Sequence, residues 1–232
     1  MTKARAVSLL LLLAGCSGTL PPDAASSAVA PSPTPDPARP LPLPLPDVVA
    51  RVNGQDIRIR QILPLAKAAL DKVSVAERDK RKPEVIRQAL ENYVNRELLL
   101  QEALGRAISA NTRDVEWSYD QMRREHAGDE WADFLTGQGM DPQSFKAELR
   151  IQHTVAALLS QELQSWPVPE EEARAAYAAN ALGFGGPGAT QAPSFESVRA
   201  EVEAAVRRYK SDEIQAALLA RLRARAKIEL FL

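Results

Sequence analysis

The fold is inferred from one stretch of the sequence, Val48-Val-Ala-Arg-Val-Asn-Gly-Gln-Asp-Ile-Arg-Ile59. Apolar and polar residues alternate on both sides of Asn53-Gly54. Asn-Gly favours a tight type I′ turn, because both residues of the pair adopt positive φ readily. The pattern therefore predicts two short antiparallel strands joined by this turn.

A partner for these strands is predicted at the other end of the chain. Residues 227–232 read Lys-Ile-Glu-Leu-Phe-Leu, a composition that favours a strand. An isolated terminal strand needs a partner, and the other predicted strands lie in residues 48–59. The first and last segments of the folded part are therefore expected to pair.

Between these segments, apolar residues recur with helical spacing. Ile86, Leu90, Val94 and Leu98 predict a long helix over residues 83–107, with its proline in the first turn. Further helices are predicted over residues 112–126, with Asn111 or Thr112 as the cap, and over residues 130–136. Two more are predicted from Asp141-Pro142 to Trp166-Pro167 and over residues 169–180. After a flexible break at residues 181–192, one long helix is predicted through Val198 and Leu222. The fold class is therefore mainly α, with a small sheet that joins the N-terminal hairpin to the C-terminal strand.

Composition sets the limits of the folded part. The chain is 45% apolar and 25% charged, as in soluble globular proteins, and its net charge of −1 excludes a strongly basic nucleic-acid-binding protein. Ten of the 17 prolines lie between Pro21 and Pro46, whereas every aromatic residue lies at Tyr93 or beyond. The folded part is therefore expected to span residues 47–232, long enough for a packed core without disulfides.

The N-terminus has the features of an export signal. Residues 1–15 begin with basic residues and continue as a leucine-rich run, which is shorter than the roughly 20 residues that cross a bilayer. The sequence Leu13-Ala-Gly-Cys16 resembles the bacterial lipobox, which implies that a lipid is attached to Cys16, the single cysteine. Ser17 stands where an aspartate would suggest retention at the inner membrane, so the resemblance to lipoproteins implies an anchor in the outer membrane. The alternative is an ordinary signal peptide that is cleaved elsewhere.

The segment 16–46 is predicted to be a tether. It is rich in Ser, Ala and Pro and ends in Leu41-Pro-Leu-Pro-Leu-Pro46. Such a segment cannot form a core, and its prolines favour an extended polyproline II chain. The alternative is a proline-rich ligand for a partner domain.

Motifs for enzymatic chemistry are weak. Residues 183–188 match the dinucleotide fingerprint but follow a helix and contain Pro187, so no cofactor is expected. His126 and His153 lie on different predicted helices without metal-ligand spacing, so neither a metal site nor a nucleophilic triad is indicated. The basic stretches 80–82 and 221–227 favour a solvated helix surface; contact with acidic lipid is the alternative, and nucleic acid is not expected.

The ordered set of elements resembles the SurA/PrsA-type export chaperones. The stretches that carry the resemblance are Val49-Ala-Arg-Val-Asn-Gly54 with Ile57, Ala89-Leu90 through Leu98-Leu-Leu-Gln-Glu-Ala103, Phe134-Leu-Thr-Gly-Gln-Gly139, Val168-Pro-Glu-Glu-Glu-Ala-Arg-Ala-Ala-Tyr177, Phe195-Glu-Ser-Val-Arg-Ala-Glu-Val and Ala226-Lys-Ile-Glu-Leu230. The resemblance implies one chaperone domain built from both ends of the chain. Family members usually carry a parvulin-type prolyl isomerase domain where this chain has residues 181–192, too few for such a domain.

Together with the lipobox, the resemblance implies a lipid-anchored periplasmic holdase that binds unfolded exported or outer-membrane proteins without ATP. Because the isomerase domain of the family is missing, no enzymatic activity is expected. Such a surface needs exposed aromatic side chains and adaptable methionines. The candidates are Trp117, Tyr119, Met122, Trp131, Phe134 and Met140. Each could instead be ordinary core. An accessory lipoprotein with one dedicated envelope partner is the alternative function, a prolyl isomerase is a further one, and a homodimer remains open.

Overall fold

The computed structural model describes residues 41–42, 44–126, 128–186 and 190–232. The signal segment 1–15, Cys16 and most of the tether lie outside the described residues, as do residues 187–189 of the glycine-rich stretch. The elements are β1 Val48–Val52, β2 Gln55–Arg58, α1 Ile59–Leu70, α2 Arg78–Gly105, α3 Thr112–Glu125, α4 Asp129–Gly137, α5 Pro142–Ser165, α6 Glu170–Ala179, α7 Phe195–Tyr209, α8 Ser211–Arg225 and β3 Ile228–Leu230. The predicted fold class, mainly α with a small sheet, is confirmed.

The small sheet joins the two ends of the domain. Its strand order is β2-β1-β3, and all pairs are antiparallel. Asn53 and Gly54 have φ values of 50° and 89°, as a type I′ turn requires. The Asn53 side chain also accepts a hydrogen bond from the Lys227 N–H at 2.8 Å. The predicted hairpin and its pairing with the C-terminal strand are therefore confirmed.

Three helix predictions need correction. The second strand ends at Arg58, and Ile59 begins α1, a helix that the periodicity did not indicate. Helix α2 begins at Arg78, so Pro83 lies inside it; a proline this close to the start removes one hydrogen bond, to the carbonyl of Asp79. The predicted long C-terminal helix is two helices, α7 and α8, that meet at Lys210.

The break at Lys210 separates two helices with different packing partners. Within the described residues, buried apolar side chains form three clusters. Val198 and Val202 of α7 belong to the cluster shared with α6, whereas Leu218 and Leu222 of α8 belong to the main core. The two helices on either side of Lys210 therefore pack against different partners.

The main core is built around the sheet and the long helices. It contains buried side chains from β1, β2, β3, α1, α2, α5 and α8. Leu41 and Leu45 also pack against it, so the expectation that the whole proline-rich segment stays free of the core is wrong at its last residues. In the described ranges no helix has both the length and the apolar character needed to cross a bilayer.

Helix α8 is held by ion pairs rather than merely solvated. Arg221 contacts the Glu162 carboxylate at 2.8 Å, Arg225 pairs with Glu102, and Arg223 pairs with Glu91. The side chain of Arg223 is only 15% exposed, so the prediction of a solvated basic surface is wrong for this residue. The three arginines connect the C-terminal helix to α2 and α5.

The connection between α6 and α7 contains a short helical segment among its described residues. Residues Ala181–Gly185 form a turn of 3₁₀ helix, and Phe184 packs against the α6–α7 cluster. The Tyr177 hydroxyl donates to the Pro193 carbonyl at 2.5 Å and so joins the end of α6 to the residues before α7. Residues 181–185 of the predicted break are therefore packed against the two helices.

Candidate functional site

Five of the six candidate residues lie in one cluster formed by α3, α4 and the start of α5. Its buried members are Val115, Tyr119, Leu135, Phe145 and Leu149. Met122, Trp131, Phe134 and Met140 are half-buried and pack on its outside. We call these four residues the aromatic layer. The sixth candidate, Trp117, is not a member.

Local signals in the sequence position these helices. The side-chain Oδ1 of Asn111 accepts from the Arg113 N–H at 2.9 Å and caps α3, one of the two predicted caps. Oδ1 of Asp141 accepts from the Ser144 N–H at 2.7 Å and caps α5. This hydrogen bond lowers the pKa of Asp141 below its ordinary value. Both caps fix the helix starts that bring the cluster together.

The rings of the cluster contact one another closely. Trp131 meets Tyr119 edge to face, with centroids 5.4 Å apart, and stacks on Phe134 at 5.5 Å. Phe145 contacts both Trp131 and Phe134 at 5.6 Å. Tyr119 is 8% exposed, so it lies beneath the aromatic layer rather than in it. The half-buried rings therefore rest on a fixed aromatic base.

A cation already lies over one ring of this base. The Lys146 Nζ is 4.4 Å from the centroid of Tyr119 and 2.6 Å from the carboxylate of Glu116. The hydrogen bond with Glu116 raises the pKa of Lys146. This cluster thus accommodates a positive charge against an aromatic face.

Phe145, a buried member of the cluster, and His126, which contacts the cluster, were not among the candidates. Phe145 follows the Asp141 cap by one helical turn, which is a signal available in the sequence. The His126 ring packs on Phe134 with centroids 4.3 Å apart, and its Nδ1 lies 3.0 Å from the Met122 carbonyl. The sequence pattern did not indicate the contact of His126 with Phe134, because this contact depends on the conformation in which α3 ends.

Trp117 lies on a different side of α3. Successive residues of a helix are separated by about 100°, which turns Trp117 roughly 160° away from Tyr119. Its side chain is 61% exposed. Trp117 is therefore an exposed aromatic residue on the outer face of α3, away from the side that carries Tyr119.

An open recess of about 580 Å³ adjoins the aromatic layer. Trp131 forms one wall, and the remaining lining residues come from the end of α3 and the turn that follows. The lining residues are Asp120, Arg123, Arg124, His126, Gly128 and Trp131. The recess offers an apolar wall beside charges of both signs.

One contact resembles part of a catalytic site. The Ser118 Oγ lies 2.8 Å from His153 Nε2, a pairing that the sequence did not indicate. Ser118 is buried between α3 and α5, and no acidic side chain bonds to His153 among the described residues. The pair links two helices. In the described part of the chain, no group of three or more His, Cys, Asp or Glu side chains could hold a metal ion.

Comparison with known proteins identifies the family. A family model described as the SurA-like N-terminal domain matches residues 43–159, from the residues before β1 into α5. No curated protein and no solved structure matches the chain. The match covers half of the chain and includes the whole of α3 and α4. The chain therefore belongs to the family of SurA-like N-terminal domains, a chaperone-type family.

Proposed function

We propose that this protein is an ATP-independent holdase that binds unfolded segments of exported proteins, including outer-membrane precursors. The observation that carries the proposal is the aromatic layer of Met122, Trp131, Phe134 and Met140, which is half-buried on a base of buried apolar side chains. Aromatic rings offer a large contact area, and methionine adapts to different partners. A surface of this kind suits many extended chains.

Release without ATP requires modest affinity and fast dissociation. A half-buried layer offers less apolar contact than a closed pocket, so the complex is expected to be short-lived. The charged lining of the adjoining recess keeps water close to the bound chain. These features favour repeated capture and release over permanent binding.

We also propose that the protein is anchored in the bacterial envelope by a lipid and faces the periplasm. The support is the lipobox-like sequence before Cys16 and the proline-rich segment that separates it from the domain. Residues 1–15 would be removed and residues 16–40 would form the tether.

The anchor has a direct test. Replacing Cys16 with serine is expected to move the protein from the membrane fraction to the soluble fraction, or to leave it unprocessed, because serine cannot carry the thioether-linked lipid. Fractionation and mass spectrometry of the N-terminus measure this. Unchanged fractionation and processing would contradict the lipid anchor.

The holdase function is tested with residues 17–232, which omit the signal segment and Cys16, and two unrelated unfolded proteins, one of them a barrel precursor. Suppression of the aggregation of both clients at near-stoichiometric amounts is expected. Suppression of neither by a well-folded chain would contradict the proposal and favour the alternative, an accessory lipoprotein with one folded partner. A prolyl isomerase is tested separately by proline-limited peptide isomerisation, where no rate above background is expected.

Two exposed aromatic residues serve as a matched pair in the same assay. Trp117 is 61% exposed on α3, and Tyr209 is 88% exposed at the end of α7. We expect Trp117→Ala to weaken suppression by about threefold, as for a peripheral contact residue, and Tyr209→Ala to leave it unchanged. Equal effects of the two substitutions would remove Trp117 from the client surface.

A further inference from the structure

We propose that the aromatic layer prefers client segments in which basic side chains lie beside apolar ones. This inference rests on the proposed function and specifies its substrate class. It is argued from the charges that border the layer and from the chemistry of the rings themselves.

Exposed carboxylates border the aromatic layer. Between residues 120 and 133 there are five of them against two arginines, Arg123 and Arg124, an excess of three negative charges. None of the five forms an ion pair with another described residue. They are Asp120, Glu125, Asp129, Glu130 and Asp133.

Folding explains only part of this charge. Asp129 and Glu130 lie in the first turn of α4, where a negative charge stabilises the helix. Asp120, Glu125 and Asp133 do not lie in the first turn of a helix, so helix stability does not explain their charges. By contrast, Glu91, Glu102 and Glu162 around the main core are held in ion pairs.

The carboxylates adjoin the half-buried rings. Glu130 precedes Phe134 by four residues, so the two side chains lie on the same side of α4. Asp120 lines the same recess as Trp131. A chain that contacts either ring therefore passes close to an unpaired carboxylate.

The rings themselves also favour a cation. Arg and Lys are attracted to the faces of aromatic rings, most strongly to Trp. Lys146 already occupies this position over Tyr119 in the same cluster. A basic client side chain beside an apolar one would meet both a ring and a carboxylate, whereas an acidic side chain would be repelled by the excess negative charge.

The test uses three short unstructured peptides with the same apolar positions and with lysine, glutamine or glutamate between them. Fluorescence anisotropy measures their binding to residues 17–232. We expect the lysine peptide to bind about fivefold more tightly than the glutamate peptide at low salt. The preference should shrink as salt rises, because the screening length falls below about 10 Å above 0.1 M.

Matched variants assign the preference to this surface. Glu130→Gln with Asp133→Asn removes two carboxylates beside the layer, and Glu171→Gln with Asp212→Asn removes two exposed carboxylates from the first turns of α6 and α8. The first pair is expected to reduce the lysine preference at least twofold and the second to leave it unchanged.

Two results would overturn the inference alone: equal binding of all three peptides by a chain that still suppresses aggregation, or equal effects of the two variant pairs. Binding of none of the peptides, together with no suppression of aggregation, would overturn the proposed function as well. A tighter glutamate peptide would assign the recess arginines, rather than the carboxylates, as the contact.

Discussion

Replacing Glu162 with alanine is expected to lower the free energy of unfolding by about 2 kcal/mol, because hydrogen bonds to charged groups at a nearly buried site are lost. The Glu162 side chain is 11% exposed and contacts Arg106 at 2.6 Å and Arg221 at 2.8 Å. These contacts join α2, α5 and α8 at one carboxylate. Both arginines are partly exposed and can be hydrated after the change, which keeps the loss below that of a fully buried pair.

The effect should depend on pH with a defined sign. Burial disfavours the charged form of Glu162, but the hydrogen bonds and charges of Arg106 and Arg221 outweigh it and lower the pKa below the ordinary 4.5. The stabilisation by Glu162 is therefore fully present above pH 4.5, and it is lost as the pH falls through the lower pKa of the folded state. The difference between wild type and Glu162→Ala should shrink over the same interval.

Urea unfolding followed by circular dichroism measures both effects. Glu84→Ala is the matched control, since Glu84 is 69% exposed and contacts Arg81 at 3.5 Å on the surface of α2. The control is expected to change the unfolding free energy by less than about 1 kcal/mol. Equal losses in the two variants would show that Glu162 is no more than a surface ion pair.

For the double variant Trp131→Ala with Phe134→Ala, we expect that about tenfold more variant protein is needed for the same suppression of client aggregation, because two central contact residues are lost. Trp131 and Phe134 are stacked at 5.5 Å and form the aromatic half of the layer. Their cluster is separate from the main core, so the sheet and the long helices should remain folded.

The matched control removes a similar pair elsewhere. Tyr177 and Phe184 are also half-buried and stacked, with centroids 6.4 Å apart, in the cluster of α6 and α7. Their replacement by alanine should cost comparable stability without affecting clients. If both double variants lost suppression equally, the loss would reflect weakened folding, and the aromatic layer would have no special role.

Structural features that depend on residues close together in the chain could be predicted from the sequence, whereas features that depend on distant residues could not. The Asn53-Gly54 turn and the Asn111 cap act within a few residues, and both are confirmed. The partners of Arg221 and Arg223 lie 59 and 132 residues away in the chain, so no local pattern could indicate them. The break at Lys210 was likewise not indicated, because the four-residue spacing of apolar residues continues from Val206 to Ile214 across it.

The sequence also predicted the members of the candidate site only in part. Closeness in sequence grouped Trp117 with Tyr119, although helical phase turns them to different sides of α3. The phase of α3 alone would have separated the two. Exposure of Trp131 and Phe134 depends on how α4 packs against Phe145 of α5, which the sequence does not specify.

The position of β3 in the sheet has a consequence for the export that we propose. Strand β1 lies between β2 and β3, and Leu218, Leu222 and Ile228 are buried in the main core. A chain that crosses a membrane from its N-terminus would deliver α8 and β3 last. Until then the hairpin would lack its second partner and the core would stay open. Completion of the domain would therefore be post-translocational, and the protein would emerge as an unfolded chain.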